Sequence, residues 1–390
     1  MTGIHVGFMI IVLWLVPLTR PLTSLVPVLD SPPEPSQKTS RPILYNWIPS
    51  GTSMADIRDL NAKSYVMVYS SVLPDKGTSG IIDTPSVIRA LEKKIPNSFS
   101  GWGLLDFEGE IFNRLFHEPM HTKFNLTTGS LIKTIRAVKK KWPRAKWTYW
   151  GMPDVKFWIH AQGDKPANWA TANERQKEAA LKRSAEGFKA IAEEVDWISP
   201  WIYDMHQNEL FTKPHQRENM TLAQQKWAMA KCSLAKEISE SRSRGPIPVI
   251  PMFRLMFAPG GNVTDKIFVS ETEFRTDVLE PVVKAGVDGL STWNGLEFHV
   301  INAFRKAINP HQFGIRDKAR TVLKQLLDID SDFDWNSPRA ADRINARVRP
   351  LVMNQLRMMR TELDEFKPMK PIHKPTNTSI SESIRSEMTD

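Results

Sequence analysis

Gly101-Trp-Gly-Leu-Leu-Asp-Phe-Glu-Gly-Glu110 is the stretch of sequence that decides the fold. It is typical of a buried strand that ends in a turn carrying carboxylates. Because alternate side chains of a strand face opposite sides, Leu105 and Phe107 share one face, and Asp106 and Glu108 share the other. In a barrel, the apolar pair would pack against outer helices, and the two acids would point together into the mouth.

The two acids form a pair with a predictable electrostatic property. Two carboxyl groups a few ångströms apart cannot both ionise freely, so the pair predicts a raised pKa for one of them. A carboxyl that stays protonated near neutral pH can act as a general acid. The same residues also suit a solvated acidic turn without chemistry, and the decapeptide alone does not choose between the two interpretations.

Composition sets limits on the class of protein. The chain has 390 residues, of which 41% are hydrophobic, enough for one large core with additional segments. Its 13 Trp suit a cleft for sugar rings as well as an ordinary core, and its net charge of +9 favours an anionic partner such as nucleic acid, a membrane surface or an acidic polysaccharide. Cys232 is the single cysteine, which excludes an intramolecular disulfide framework and a cysteine zinc site.

Strand-like and helix-like stretches alternate along the chain, which predicts an α/β fold with a parallel sheet and helices outside it. The strand candidates are Ile43–Trp47, Tyr65–Tyr69, Gly103–Phe107, Trp147–Met152, Trp197–Tyr203, Pro248–Phe253 and Gly289–Trp293. The clearest helix candidates are Ser86–Lys94, Leu131–Trp142, Asn173–Glu194, Leu222–Ser239 and Glu271–Ala285. Seven strands, with no glycine-rich nucleotide loop after any of them, favour a TIM-type (β/α) barrel over an open doubly wound sheet.

The barrel prediction says where to look for a site. In such folds the active site lies at the carboxyl ends of the strands. Carboxylates, a phenol and indoles follow those ends, and together they are typical of a glycosidase. They belong to Asp106, Glu108, Trp150, Asp154, Tyr203, Asp204 and Trp293, and Arg254 follows the sixth strand.

The segments outside the predicted barrel complete the domain organisation. Residues 1–30 contain an apolar run and are expected to be a signal peptide or an N-terminal membrane anchor, which predicts export from the cytoplasm. Residues 31–41 form a Pro/Ser-rich linker, and residues 42–312 form the barrel. A helical C-terminal extension over residues 313–366 includes Ile315–Leu327 and the amphipathic Ala340–Phe366, and it packs on the barrel or binds a partner. Residues 367–390 are expected to be a disordered tail.

Five stretches in order resemble the hyaluronidase family of glycoside hydrolases over roughly residues 42–312. Leu104-Leu-Asp-Phe-Glu108 resembles the aspartate–aromatic–glutamate motif of that family. The other four stretches resemble its strands four to seven: Trp142–Asp154, Ser199-Pro-Trp-Ile-Tyr203, Ile250-Pro-Met-Phe-Arg254 and Ala285–Trp293. The disulfides and the Cys-rich module of animal members are absent.

The resemblance implies a retaining endo-hydrolysis in which the 2-acetamido oxygen of an N-acetylhexosamine attacks its own anomeric carbon, an exception to the scheme with a carboxylate nucleophile. Glu108 would protonate the glycosidic oxygen and later activate water, and Asp106 would orient the acetamido group. Tyr203 would hydrogen-bond that group, and Trp293 would pack on its methyl. Asp154 would help to keep the acid protonated.

One departure from the family concerns substrate contacts. Trp150 stands where the family has a tyrosine, so its hydroxyl contact is lost unless Tyr149 supplies it. Arg254 completes the set of substrate-binding candidates. The expected partner is an anionic polysaccharide, hyaluronan or chondroitin, and another N-acetylhexosaminide polymer is an alternative. No cofactor, metal or nucleic acid is expected, and the oligomeric state is left open.

Two alternatives remain. A non-catalytic sugar-binding barrel would keep Tyr203 and Trp293 as a platform while the carboxylates serve structure. A glycosidase with another nucleophile would use Glu110 or Asp204. A metal site at His117 and His121 is poorly supported, because Pro119 between them disrupts a helix. A serine hydrolase is also poorly supported, because the sequence contains no Gly-x-Ser-x-Gly elbow.

Overall fold

The computed structural model describes residues 41–46, 52–116, 122–159, 167–205, 213–254, 269–293, 333–335, 337 and 339–365. Six parallel strands in the described residues form one sheet in the order β4-β3-β2-β1-β6-β5. The strands are β1 (Ile43–Tyr45), β2 (Ala62–Tyr69), β3 (Trp102–Asp106), β4 (Lys146–Tyr149), β5 (Met252–Phe253) and β6 (Leu290–Thr292). Each of the six overlaps a predicted strand, so the parallel α/β architecture is confirmed.

The pairing of β2 with β3 fixes the position of the acids. Tyr69 is the register partner of Asp106, so the last residues of both strands lie side by side at the carboxyl ends of the strands. Gly103 on β3 faces the Trp147 ring so closely that an added Cβ would lie 2.1 Å from a ring atom. This glycine therefore lets β3 and β4 pack with a buried indole against the sheet.

The predicted strand Trp197–Tyr203 forms isolated bridges instead of a continuous ladder. Ser199 bridges Trp150 just beyond β4, while Ile198 and Trp201 bridge Val249 and Met252 on the β5 side. The described residues thus give six strands rather than the seven predicted, together with one bridged segment. Because this segment bonds to both edges of the sheet, the sheet curls on itself, and the carboxyl ends of the strands face a common mouth.

Helices connect the strands and cover the outer face of the sheet. The described helices are α1 (Met54–Asp59), α2 (Thr84–Glu92), α3 (Glu110–Phe116), α4 (Thr122–Lys141), α5 (Glu174–Ala192), α6 (Pro214–Glu240), α7 (Glu271–Glu273), α8 (Glu280–Lys284) and α9 (Ala340–Glu365). A π-helical segment, Phe274–Leu279, separates α7 from α8. Asn173 begins α5 and Ser270 begins α7 with capping boxes, which satisfy backbone N–H groups that a helix start leaves unpaired.

The last described helix, α9, packs on the barrel through an apolar face. Its buried residues include Val348, Val352, Leu356 and Met359, as the amphipathic pattern predicts, whereas Leu351 is exposed at 36% and lies off this face. Thr292 on β6 donates a 2.9 Å hydrogen bond from Oγ1 to the Gln355 side chain of α9. The helix is therefore tied to the same strand end that leads to Trp293.

Several sequence predictions lie outside the described residues. They concern the signal peptide or anchor, the linker before Arg41, the helix Ile315–Leu327 and the tail 367–390. Within the described part of the chain, no helix combines the length and the apolar character needed to cross a membrane.

Candidate active site

The acid pair lies at the carboxyl end of β3. Asp106 is 5% exposed, and its carboxyl shares a hydrogen bond with the carboxyl of Glu108. Gly109 follows with a φ of 70°, a left-handed conformation that suits glycine, and this turn leads the chain from the strand into α3. Asp106 and Glu108 therefore face the same side, as the alternation predicts, and the chain turns away directly after them.

The two carboxyls have raised pKa values. Burial raises the pKa of Asp106 well above its usual range, and the negative charge of Glu108 raises it further. Loss of hydration also raises the pKa of Glu108; the hydrogen bond with Asp106 lowers it, and the charge of Asp154 raises it again. As a residue Glu108 is exposed, because it stands at the open end of the barrel, yet surrounding protein atoms dehydrate its carboxyl. The pair can therefore hold a proton at a pH where ordinary carboxyls are ionised.

An aromatic platform lies beside the acids. The rings of Tyr203 and Trp293 stack with centroids 6.1 Å apart and planes 21° apart. The Arg254 guanidinium carbon lies 5.0 Å from the Trp293 centroid and 5.8 Å from the Tyr203 centroid. Charges on Asp106, Glu108 and Arg254 all influence the pKa of Tyr203, which burial raises well above its usual range. The phenol, the indole, the guanidinium and both acids thus belong to one cluster.

The Tyr203 hydroxyl is buried and aimed into this cluster. Among the described residues neither Tyr203 Oη nor Asp106 Oδ1 has a hydrogen-bond partner of standard geometry. A buried polar atom without a partner loses about 1–3 kcal/mol relative to a satisfied one. A polar ligand in the mouth could satisfy both atoms.

A second aromatic wall borders the acids on the β4 side. Trp150 stacks between Phe112 (centroids 5.8 Å apart, planes 16° apart) and Trp201 (6.3 Å, 6°). Trp150 also contacts the Tyr203 ring at 6.2 Å. The predicted substrate residue Trp150 therefore lies in the cluster, and Trp201 extends the apolar surface along it.

Asp154 lies behind this wall. It is 9% exposed, and its Oδ1 accepts hydrogen bonds from Trp201 Nε1 at 3.1 Å and from Lys231 Nζ at 3.4 Å. Its negative charge is among the influences that raise the pKa of Glu108. The charge of Asp154 therefore influences the acid through space.

The prediction that Tyr149 supplies the lost hydroxyl contact is wrong. Its hydroxyl donates a 2.7 Å hydrogen bond to the Leu131 carbonyl of α4, and its ring packs against Phe107 on the outer face of the sheet. Tyr149 is the neighbour of Trp150 on the same chain, so the pleat sends it to the opposite side. The mouth therefore has no tyrosine hydroxyl from β4.

The alternative nucleophiles lie in different surroundings. Glu110 is on α3 and accepts a 2.9 Å hydrogen bond from Arg114 one turn later, so it belongs to a helix-surface ion pair. Asp204 is 2% exposed and directly follows Tyr203. His117 and His121 lie outside the described residues.

Sequence reasoning missed three residues of this region. Tyr65 donates a 3.2 Å hydrogen bond from its hydroxyl to the Thr292 carbonyl, and Tyr69 accepts a 3.3 Å hydrogen bond from Trp293 Nε1. Both lie on β2 with the even spacing that puts them on one face, and this spacing could have identified them. Lys231 on α6 could not have been identified, because a lysine in a helix gives no indication that it reaches a buried carboxylate. No group of three metal-ligating side chains occurs in the described ranges.

No protein-family model and no curated protein matches the chain. Among solved structures, it is similar to bee venom hyaluronidase at 15% identity and a TM-score of 0.43, over 73% of this chain and 97% of the bee protein. It is also similar to a GH18 chitinase from Pseudoalteromonas aurantia, at 13% identity and a TM-score of 0.32, over 69% of this chain and 78% of the chitinase. A third similar structure is an endo-1,4-beta-D-mannanase from Thermotoga petrophila, at 14% identity and a TM-score of 0.32, over 70% of this chain and 83% of the mannanase. These neighbours are glycoside hydrolases, but since every TM-score is below 0.5 we draw no residue role from them.

Proposed function

We propose that the chain is a glycoside hydrolase that cleaves N-acetylhexosaminide bonds within a glycosaminoglycan-like polysaccharide by a substrate-assisted, retaining reaction. The observation that carries the proposal is the hydrogen bond shared by Asp106 and Glu108 at the mouth of the sheet. The five motifs that resemble the hyaluronidase family support the same conclusion. The proposal includes the bridged segment 197–203 as the seventh member of a closed barrel.

The placement of the acids argues for assistance by the substrate. Glycosidases that use two carboxylates keep them about 5–5.5 Å apart when one is the nucleophile, and about 6.5–9.5 Å apart when water enters between them. Asp106 and Glu108 leave the end of β3 on one face, so they approach a bound sugar from the same side and do not flank the bond that breaks. In this proposal the nucleophile comes from the substrate, whose 2-acetamido oxygen attacks its own anomeric carbon.

The residues divide the work as follows. Glu108, at the open side, donates its proton to the leaving glycosidic oxygen and later takes a proton from water. Asp106, at the buried side, accepts from the acetamido N–H and stabilises the positive charge that develops on the cyclic intermediate. Tyr203 donates its hydroxyl to the acetamido group, and the stacked Trp293 packs on the acetamido methyl.

The choice of polymer follows from charge. Arg254 is 3% exposed and lies over the Tyr203–Trp293 platform, so it supplies a positive charge within the mouth. The whole chain carries a formal net charge of +9. A polysaccharide with carboxylates or sulfates, such as hyaluronan or chondroitin, would be attracted to both. An exported protein, secreted or anchored, would meet such a polymer outside the cytoplasm, and we propose that location from residues 1–30.

A substrate panel tests the proposal. Hyaluronan, chondroitin, chitin oligomers and de-N-acetylated forms of each are incubated with the purified chain, and new reducing ends are measured from acid to neutral pH. We expect cleavage of at least one N-acetylated glycosaminoglycan and none of its de-N-acetylated form. Cleavage of both forms alike would refute assistance by the substrate. Binding without cleavage would instead support a sugar-binding barrel.

A further inference from the structure

Lys231 is a fully buried cation outside the cluster of substrate-facing residues. It lies on α6 with 0% exposure, its Nζ is 3.4 Å from Asp154 Oδ1, and it stands 3.8 Å from the Trp201 centroid and 5.0 Å from that of Trp227. Burying an ammonium is costly unless it is paired and hydrogen-bonded. Fold stability alone would be served equally well by an apolar side chain at this position, so the charge calls for another explanation.

Asp154 links this lysine to the acid. Its Oδ1 accepts from Lys231 behind it and from Trp201 Nε1 beside it. In front of it, the Asp154 charge raises the pKa of Glu108.

We propose that Lys231 is a positioning residue: it holds the Asp154 carboxylate fixed against Trp201, in the place from which the Asp154 charge acts on Glu108. The use of a protonated Glu108 rests on the proposed function. The electrostatic effect itself belongs to the folded protein and can be measured without any substrate.

The groups that face Lys231 define the pH range over which this arrangement operates. Burial lowers the pKa of Lys231 to about 8, against the opposing effect of the Asp154 charge, so the lysine is charged from acid to neutral pH and loses its proton above that range. Cys232, adjacent on α6, stays neutral because burial raises the pKa of its thiol. Around Glu108 the charged or titrating groups include Asp106, Asp154, Arg254 and Tyr203.

Removing Lys231 should change the pKa of Glu108, and the direction of that change distinguishes two explanations. Without the Lys231 cation, Asp154 keeps the Trp201 N–H as its one remaining donor among the described residues and is no longer held in its place, so its charge acts less strongly on the Glu108 carboxyl. The pKa of Glu108 then falls. If Lys231 were merely a nearby positive charge, its removal would raise the pKa of Glu108 instead. The two explanations therefore predict shifts in opposite directions.

The test is a titration of the Glu108 carboxyl by carbon-13 NMR in the full chain, with the resonance assigned from Glu108→Gln. Lys231→Met is compared with Lys236→Met, which breaks another α6 ion pair, with Asp288 at 3.1 Å, away from the acids. We expect the Glu108 midpoint to fall in Lys231→Met and to be unchanged in Lys236→Met. A midpoint that is unchanged or raised in a folded Lys231→Met protein overturns the proposal.

Two further variants keep the test decisive if Lys231→Met fails to fold. Asp154→Asn removes the Asp154 charge directly, and we expect the Glu108 midpoint to fall as in Lys231→Met. Lys231→Arg keeps a cation at this position, and we expect the wild-type Glu108 midpoint. In activity assays, the alkaline limb of kcat/KM should move to lower pH in Lys231→Met, with a several-fold loss near neutral pH and none in acid. If the wild-type chain cleaves no polysaccharide, the proposed function fails while the titration still decides the role of Lys231.

Discussion

Tyr149 and Tyr203 are two buried tyrosines on neighbouring parts of the sheet, and their surroundings differ. Both lie at 4% exposure or less, and burial raises both pKa values. Tyr149 faces the helices, where its hydroxyl donates to the Leu131 carbonyl. Tyr203 faces the mouth, where its hydroxyl lies near the Trp150 N–H and donates to no acceptor of standard geometry among the described residues. The Tyr149 hydroxyl is thus satisfied within the packing, whereas the Tyr203 hydroxyl keeps its proton for another acceptor.

This difference shows how one sheet separates stability from function. The outer face satisfies the Tyr149 hydroxyl and packs its ring against Phe107. The inner face carries two acids that share a hydrogen bond, and a phenol that donates to no acceptor of standard geometry in the described ranges. Such arrangements cost stability, and they persist where binding or catalysis uses them. The contrast is not complete: the Trp147 indole N–H also has no partner of standard geometry in the part of the chain that the structure describes, although its ring packs against Trp142 outside the mouth. The whole cluster, rather than a single unsatisfied atom, marks the site.

Glu108 and Glu110 provide the sharpest version of this comparison. Glu108→Gln removes the proton donor, and we expect kcat/KM to fall by about 10²–10⁴-fold, the usual contribution of a general acid. Glu110→Gln loses only a helix-surface ion pair with Arg114 and should keep wild-type activity. Reducing-end release measures both, and oligosaccharide binding should persist in Glu108→Gln. Equal activity in the two variants would remove Glu108 from the mechanism.

The two tyrosines themselves give the next largest effect. Tyr203→Phe removes a hydrogen-bond donor to the acetamido group, so we expect a loss of activity on the order of 10²-fold with no loss of thermal stability. Tyr149→Phe should retain activity and lose about 1 kcal/mol of stability, because the Leu131 carbonyl loses its donor. Thermal unfolding and kcat/KM are measured on both proteins. A reversal of the two phenotypes would contradict the division between the faces.

Asp106→Asn tests how much stability the buried acid pair costs, and we expect a smaller effect than in the preceding two tests. A carboxyl whose pKa is raised by folding favours the folded state in acid, and this contribution is lost as the pH rises through its folded pKa. Asp106→Asn cannot ionise, so we expect it to be more stable than wild type near neutral pH, on the order of 1 kcal/mol. The gain should shrink in acid, where wild-type Asp106 is protonated. Unfolding curves at several pH values decide, and a gain that is constant with pH would show that ionisation is not the cause.

Much of the fold follows from local sequence. All six strands overlap predicted runs, because apolar stretches of strand length between helical patterns leave few alternatives. The short helices α1 and α3 were missed, since six or seven residues hold too few turns to show a helical period. The segment 197–203 was predicted as a strand from its composition, but ladder formation depends on neighbours that the sequence does not show.

The site was predictable where alternation along one strand decides it. Asp106 and Glu108 share a face because they are two residues apart, and Tyr203 and Trp293 follow strands that end at the same edge. Tyr149 was assigned wrongly, although its adjacency to Trp150 already places the two on opposite faces. Lys231 depends on how α6 packs beneath Trp201, which no local pattern encodes.

The stereochemistry of the first product tests the proposed hydrolysis most directly. Proton NMR can follow the wild-type chain acting on a β-linked N-acetylhexosaminide oligomer and detect which anomer forms before mutarotation. Because the acetamido oxygen and then water each attack the anomeric carbon once, we expect the β anomer first. The α anomer first, or no product from any N-acetylated oligomer, would contradict substrate-assisted hydrolysis by the Asp106–Glu108 pair.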